Sequence, residues 1–418
     1  MIAKIEKFEA KGSVFAPPSK SEAHRYLIAA ALKNGTTLVK NAGVSDDVLT
    51  TAECLRALGA EITFTGADAL VRGIDAAEKS VCLNVKESGS SLRFLLPVVA
   101  ALGVSARFIC GARLKNRPTD DLLNALSSHG VEIEKTSDGY ALKGRITAGG
   151  YVIPCNVSSQ FASGLLFALP LLNGESALEI IGEKSGESYI GMTEKVIAES
   201  SIKIEKAGNK SIIRGNCRYM LPDEVVVSGD YSSAAFLLCL GAICGDVTVN
   251  GLFASAQGDK KIIDILKSVG AQVYVTPGSV RVKSDKLKPA DVDCNDTPDL
   301  VPPLCALFAY AKGKSRLYGT ERLRFKESDR IAACRDMLKK AGIKTDYAEG
   351  VFTVYGGNPK GGALFDGVSD HRMVMASAVL ASALCKASAV TCAENVSKSY
   401  PDFFGAIEKL GGKVDVGV

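Results

Sequence analysis

The sequence predicts an α/β (α+β) chain of two domains, each built from three repeats that pack apolar helices inside a shell of amphipathic helices and short strands. Three observations carry this expectation. A polar turn followed by an apolar, small-residue helix recurs six times, at intervals of about 70 residues, or one sixth of the 418. Six amphipathic segments stand between these copies, most of them closed by glycine. Short runs rich in Val and Ile connect the pieces.

The first polar turn is Pro17-Pro18-Ser19-Lys20-Ser21-Glu22-Ala23-His24-Arg25, which runs into the apolar residues 26–32. Two prolines exclude a helix interior, and Ser19 with Glu22 three positions on is a capping box, so a helix starts at Lys20 or Ser21. The free N–H groups of that turn, together with Lys20 and Arg25, could hold an anion. An ordinary capped helix with solvated charges gives the same pattern. The sister turns are Ser88-Gly89-Ser90-Ser91-Leu92-Arg93 before 94–102, Ser158-Ser159-Gln160 before 161–172, and Asp230-Tyr231-Ser232-Ser233 before 234–244. Asp296-Thr297-Pro298-Asp299 precedes 300–311, and Asp370-His371-Arg372 precedes 373–385.

The amphipathic copies span 46–58, 119–129, 189–200, 259–269, 328–341 and 400–410. In the fourth, Ile262, Ile263, Ile265, Leu266 and Val269 recur at helical spacing, and glycine C-caps close most copies. Strands are expected at 153–157, 212–214, 225–227, 273–275, 280–282 and 351–354. Helices apolar nearly all round must be buried, which excludes a thin solenoid. The midpoint falls near 222–229, and the strand-like piece 2–14 is expected to complete the sixth unit. Residues 1–17 with 228–418 then form the C-terminal domain and 18–227 the N-terminal one, with crossings near Pro17-Pro18 and Val227 to Gly229.

A composition of 47% hydrophobic and 23% charged residues with net charge +4 suits small acidic ligands, and no Lys/Arg stripe points to nucleic acid. Residues 1–10 alternate charge with apolar positions, unlike a secretion signal. No apolar run reaches the roughly 18 residues of a membrane span, so a cytoplasmic chain with no membrane partner is expected. Twelve single cysteines without a CxxC pair, and only His24, His129 and His371, argue against a metal. No Gly-x-Gly-x-x-Gly follows a strand, Phe308 stands where a P-loop needs glycine before Gly313-Lys314-Ser315, and Gly-x-Ser-x-Gly is missing.

The densest charge is Leu323-Arg324-Phe325-Lys326-Glu327-Ser328-Asp329-Arg330. On a helix, Lys326, Glu327 and Arg330 share a face, where the glutamate could serve as a general acid or base; a solvated salt-bridged face fits the spacing equally. Further cations are Lys115 and Arg117 before Pro118, Arg93, Arg372, and Lys398 before Pro401. Both prolines suit a first helical turn, which places the preceding cation at a helix start. Asp299, between Pro298 and an apolar helix, reads as a base or as an N-cap.

Taken together and in order, Pro18-Ser19-Lys20-Ser21 with Arg25, Ser158-Ser159-Gln160, Lys326-Glu327-Ser328-Asp329-Arg330 and Asp370-His371-Arg372-Met373 resemble the 5-enolpyruvylshikimate-3-phosphate synthase (3-phosphoshikimate 1-carboxyvinyltransferase) family over the whole chain. The resemblance implies the two-domain enolpyruvyl transferase fold, three βαβαββ repeats per domain with buried parallel helices, closing over the substrates. It implies transfer of the enolpyruvyl group of phosphoenolpyruvate to the 5-hydroxyl of 3-phosphoshikimate through a tetrahedral intermediate, on the route to chorismate and aromatic amino acids. No cofactor is implied, and the chain is expected to be a monomer whose partners are these two small molecules. By position, Lys20, Ser21, Arg25, Ser158, Ser159, Gln160, Ser185 (or Ser188), Tyr189, Asp299 and Lys326 would contact 3-phosphoshikimate. Lys20, Gly89, Arg117, Gln160, Arg330, Arg372 and Lys398 would contact phosphoenolpyruvate. Asp299, Glu327 and Lys20 would be catalytic, with Glu327 the proton donor to the methylene carbon. Where many members read Asn-Ala before the glycine of the second turn, this chain has Glu87-Ser88, a carboxylate near the phosphoenolpyruvate residues. The sister family acting on UDP-N-acetylglucosamine has Lys-Asn in place of Lys20-Ser21 and a loop cysteine five residues before an arginine, whereas Cys110 stands seven before Arg117. A non-enzymatic repeat protein binding anions at its six helix starts is the distant alternative.

Overall fold

The computed structural model describes residues 1–182 and 186–417. The chain divides into two compact bodies, one of Pro18–Val227 and one of Met1–Pro17 with Ser228–Val418. The first carries α1 (Lys20–Leu32), α2 (Asp46–Ala57), α3 (Gly89–Leu102), α4 (Asp120–Ser127), α5 (Ser159–Ala168) and α6 (Glu187–Glu199). The second carries α7 (Tyr231–Cys244), α8 (Ile262–Ser268), α9 (Val301–Tyr310), α10 (Arg330–Lys340), α11 (His371–Ala381) and α12 (Phe403–Lys409).

Six four-stranded sheets accompany these helices, all with one topology. In the second unit, Ser80–Lys86 and Ser105–Cys110 pair in parallel across α3, and the hairpin Val131–Thr136 with Gly139–Gly144 then completes the sheet antiparallel. A helix, a returning strand and another helix leave both helices pointing the same way, so both begin at the same end of their unit. This is the βαβαββ repeat.

The expectation for residues 2–14 needs correction. Ile2–Ile5 pairs antiparallel with Ser388–Thr391 and Val414–Gly417 and completes the sixth sheet. Ala10–Phe15 instead pairs in parallel with Gly245–Leu252, in the fourth. The fourth unit begins directly at α7, so its sheet has no leading strand of its own, and the amino-terminal segment supplies one. Likewise Glu224–Val226, the last strand of the first body, pairs in parallel with Thr36–Lys40 and closes the first unit's sheet.

The odd-numbered helices are buried as their composition requires. In α7, residues 231–242 are all buried, and in α9 only Tyr310 escapes. Each fully buried Leu, Val or Phe of this kind contributes about 1.5–3 kcal/mol of transfer free energy, so the helices are held by their surroundings more than by propensity. The even-numbered helices bury one face, as α4 does with Leu122, Leu123 and Leu126. Gly103 ends α3 in the left-handed region, φ 73°, which a residue with a side chain adopts only at a cost. Among the described residues, no helix is long and apolar enough to cross a membrane.

Candidate active site

Five of the six buried helices begin as the caps foretell. Ser19 Oγ accepts from the Glu22 amide, Ser88 Oγ from Ser91, Ser158 Oγ from Gln160, and the Asp230 and Asp370 carboxylates cap α7 and α11.

In the Pro18–Val227 body, Arg25 is 2% exposed. It donates to Thr193 Oγ1 at 2.8 Å, to the Ser21 carbonyl at 2.6 Å and to the Tyr189 carbonyl at 2.8 Å, and it lies over the Phe94 ring. Burial pulls its guanidinium down to about 10, still fully charged near neutrality. Lys20 Nζ meets Asp47 Oδ2 at 2.8 Å. Arg93 donates to Gln160 Oε1 at 2.8 Å and to the Pro118 carbonyl at 3.3 Å, and Gln160 in turn donates to Ser90 Oγ. A Cβ on Gly89 would stand 3.0 Å from Arg117 Nη1 and 3.1 Å from Arg93 Nη1, so glycine lets two cations lie against the start of α3. Ser158 and Ser159 open α5 beside Gln160. Ser185 lies outside the described residues.

In the other body, Arg330 is 1% exposed and is the hub. Its Nε meets Asp370 Oδ2 at 2.8 Å, Nη1 meets Asp299 Oδ1 at 2.7 Å and Nη2 meets Glu327 Oε2 at 2.7 Å. Asp299 also pairs with Arg372 at 3.1 Å and Lys326 at 3.7 Å. Burial alone would raise the Asp299 carboxyl, but Arg372, Lys326 and Arg330 outweigh it and hold the group well below the usual carboxylate range. Burial lowers Lys326 to about 8, opposed by Asp299. Burial would lower Arg330 as well, yet its carboxylates raise it well above its ordinary value. Ser328 Oγ donates to Asp370 at 2.9 Å, and Lys398 ends the 3-10 turn Ala393–Lys398, which packs on α11.

Three local expectations fail here. Lys326 and Glu327 do not ride on α10: Asp329 accepts from the Ala332 amide and starts that helix at Arg330, so Glu327 reaches Arg330 from the preceding loop. Asp299 is no N-cap, because it sits inside the turn Pro298–Leu300 and its carboxylate goes to cations. Pro118 and Pro401 both precede the caps of α4 and α12, Thr119 and Asp402, rather than occupying a first turn. The Glu87 carboxylate accepts from the Arg113 amide at 3.1 Å and the Leu114 amide at 2.9 Å.

Asp47 was not singled out by sequence, although a signal existed. Lys20–Asp47, Asp230–Gln257 and Ser232–Asp259 are hydrogen-bonded pairs 27 residues apart, and Asp299–Lys326 has the same offset. One helix, one strand and their turns consume that length, so in these units a residue at the first helix start meets one near the second. Elsewhere, between α6 and the 204–213 hairpin, a cavity of about 220 Å³ is lined by Ile180, Ile190, Glu194 and Lys206. Glu194 and Lys206 pair with each other there, which leaves its rim charge-balanced.

Solved structures of similar architecture define the class. An EPSP synthase from Acinetobacter baumannii superposes with a TM-score of 0.82 at 24% identity, covering 99% of this chain and all of that one. The enolpyruvyl transferase NikO from Streptomyces tendae superposes at 0.79 with 18% identity, covering 99% and 98%. The fold is therefore that of the enolpyruvyl transferases. Residues 6–407 match the family model described as EPSP synthase (3-phosphoshikimate 1-carboxyvinyltransferase). Proteins named 3-phosphoshikimate 1-carboxyvinyltransferase from Brachyspira hyodysenteriae and Archaeoglobus fulgidus are 36% and 35% identical, over 99% and 98% of this chain and 100% and 98% of their own lengths. The chain belongs to the EPSP synthase family.

Proposed function

We infer that this chain transfers the enolpyruvyl group of phosphoenolpyruvate to the 5-hydroxyl of 3-phosphoshikimate, releasing phosphate. Family membership along nearly the whole chain supports the reaction, and the Arg330 hub is the observation that carries its chemistry. Two carboxylates, Asp299 and Glu327, sit on one guanidinium, and each keeps part of its side chain exposed.

On this reading Lys20, Ser21, Arg25, Ser158, Ser159, Gln160, Ser185 and Tyr189 take 3-phosphoshikimate, with Asp299 and Lys326 at its reacting hydroxyl. Lys20, Gly89, Arg117, Gln160, Arg330, Arg372 and Lys398 take phosphoenolpyruvate. Glu327 gives a proton to the methylene carbon while the 5-hydroxyl oxygen adds to the neighbouring carbon. The hydroxyl proton leaves toward Asp299, whose charged state suits an acceptor of that hydrogen bond. Elimination reverses the carbon protonation: Glu327 takes a proton from the new methyl group as the C–O bond to phosphate breaks, and the proton held by Asp299 passes to the leaving phosphate. Fixed cations stabilise the carboxylate and phosphate of the tetrahedral adduct throughout. The reaction is neither redox nor dependent on an organic electron sink, so it proceeds without a cofactor, and the chain is taken to act as a monomer.

A coupled phosphate-release assay tests this. Release is expected with phosphoenolpyruvate and 3-phosphoshikimate and not with UDP-N-acetylglucosamine. The reverse acceptor preference would overturn the reading.

A further inference from the structure

We propose that Glu87 is a positioning residue: it pins the 111–116 turn and so delivers Arg117 to the start of α3, setting affinity for the phosphoenolpyruvate carboxylate or phosphate. The proposal rests on the reading above, in which Arg117 and Gly89 contact that substrate.

The turn that carries Arg117 lies at the surface: residues 112, 113, 115 and 116 are exposed, while Leu114 is buried and Lys115 Nζ donates to the Ser137 carbonyl at 3.3 Å. Two groups from the start of α3 grip it from either side. Upstream of Arg117, the two Glu87 oxygens accept from the Arg113 and Leu114 amides, while the Gly111 amide donates to the Lys86 carbonyl at 2.6 Å. Downstream, Arg93 donates to the Pro118 carbonyl. The approach on the Glu87 side is close, since a Cβ on Gly111 would stand 2.2 Å from Glu87 Oε1.

The carboxylate therefore does two things of opposite sign. Its negative charge near an anion site opposes binding, and its two charge-assisted bonds hold the cation that favours binding. Bonds of this kind to a charged acceptor are individually strong and directional, whereas the charge repulsion is screened at a partly exposed site. Anchoring is expected to win.

The test compares Glu87→Ala, Glu87→Gln and Glu87→Asp with the wild type, by steady-state kinetics in both substrates and by amide hydrogen exchange. Glu87→Ala is expected to raise KM for phosphoenolpyruvate about tenfold, the loss of roughly one charge-assisted bond. KM for 3-phosphoshikimate should stay within about twofold, and exchange across 111–117 should speed up. Glu87→Gln keeps the shape with one acceptor oxygen and no charge, and should show a smaller rise. Glu87→Asp keeps the charge on a shorter stem and should resemble Glu87→Ala. A lower KM for phosphoenolpyruvate in both uncharged variants would overturn the proposal in favour of simple repulsion. So would equal changes in both KM values, or unchanged exchange in 111–117. A wild type inactive with both substrates would count against the proposed function instead, and the exchange measurement would still decide whether Glu87 holds the turn.

Discussion

Two buried arginines, Arg25 and Arg330, are equally withdrawn from water and are treated in opposite ways. Arg25 is bonded to two hydroxyls and two carbonyls and rests on an aromatic ring; burial dominates and its guanidinium shifts down. Arg330 is bonded to Asp370, Asp299 and Glu327; three carboxylates dominate and its guanidinium shifts up. Dipoles orient a cation without cancelling it, so Arg25 keeps a charge to offer an anion such as a phosphate. Carboxylates around Arg330 largely cancel it, and Asp299 among them stays charged because Arg372, Lys326 and Arg330 outweigh its burial. One repeat thus supports two electrostatic designs, set by what caps the neighbouring helix starts.

The comparison breaks most visibly at Arg330. Arg330→Met leaves three carboxylates clustered without their shared cation and should destabilise the protein by about 3–5 kcal/mol, as removing one partner of a buried ion pair does. Urea unfolding of the full chain near pH 7 measures this. The deficit should shrink as pH falls and the carboxylates take up protons. A loss no larger than that of the Arg25 variant described next would show that the two hubs are alike.

Arg25→Met removes bonds to neutral partners only, so the expected loss is smaller, about 1–3 kcal/mol, with weak dependence on pH. Thr193 keeps a partner, because its Oγ1 also donates to Ser163 Oγ at 2.9 Å. A pH-dependent loss matching that of Arg330→Met would mean that a carboxylate supports Arg25 after all.

Sequence made the caps and the buried helices legible because both are local. Ser19, Asp230 and Asp370 announce a start within four residues, and a helix apolar all round has one place to go. The strands that close the first, fourth and sixth sheets were not legible to the same degree. Glu224–Val226 reaches across most of its body to pair with Thr36–Lys40, and Ile2–Ile5 and Ala10–Phe15 part company over four residues. Nothing in a short β-rich run states which partner it takes. At the Arg330 hub the residue types were legible and their placement was not. Ser328 and Asp329 compete to start α10, and a cap at either leaves Glu327 in the preceding loop, whereas the spacing alone would allow a helix face. Asp47 stayed hidden because its importance lies in a partner 27 residues away.

The smallest expected effect concerns a third buried polar side chain, His24, also placed among neutral partners. Its Nδ1 lies 2.7 Å from Thr51 Oγ1, which lies 2.6 Å from Ser91 Oγ, which donates to Ser88 Oγ at 2.8 Å. With Ser91 donating onward, Thr51 must donate to Ser91 and accept from His24, so Nδ1 carries the hydrogen of a neutral ring. This chain ties together α1, α2 and the cap of α3. Burial pulls His24 from 6.5 to about 3, with Asp47 opposing that shift. A folded value below the unfolded one means that the unfolded chain binds the extra proton between those limits, so stability is intact above pH 6.5 and is lost on acidification toward pH 3. One pH unit below the unfolded value, the loss amounts to about 1.4 kcal/mol. His24→Asn keeps a donor for Thr51 and cannot titrate, so urea midpoints measured from pH 7 down to pH 5 should fall less steeply in that variant than in the wild type. Parallel pH profiles would mean that His24 is already reached by protons in the folded chain, and that the neutral-partner design of this body does not extend beyond Arg25.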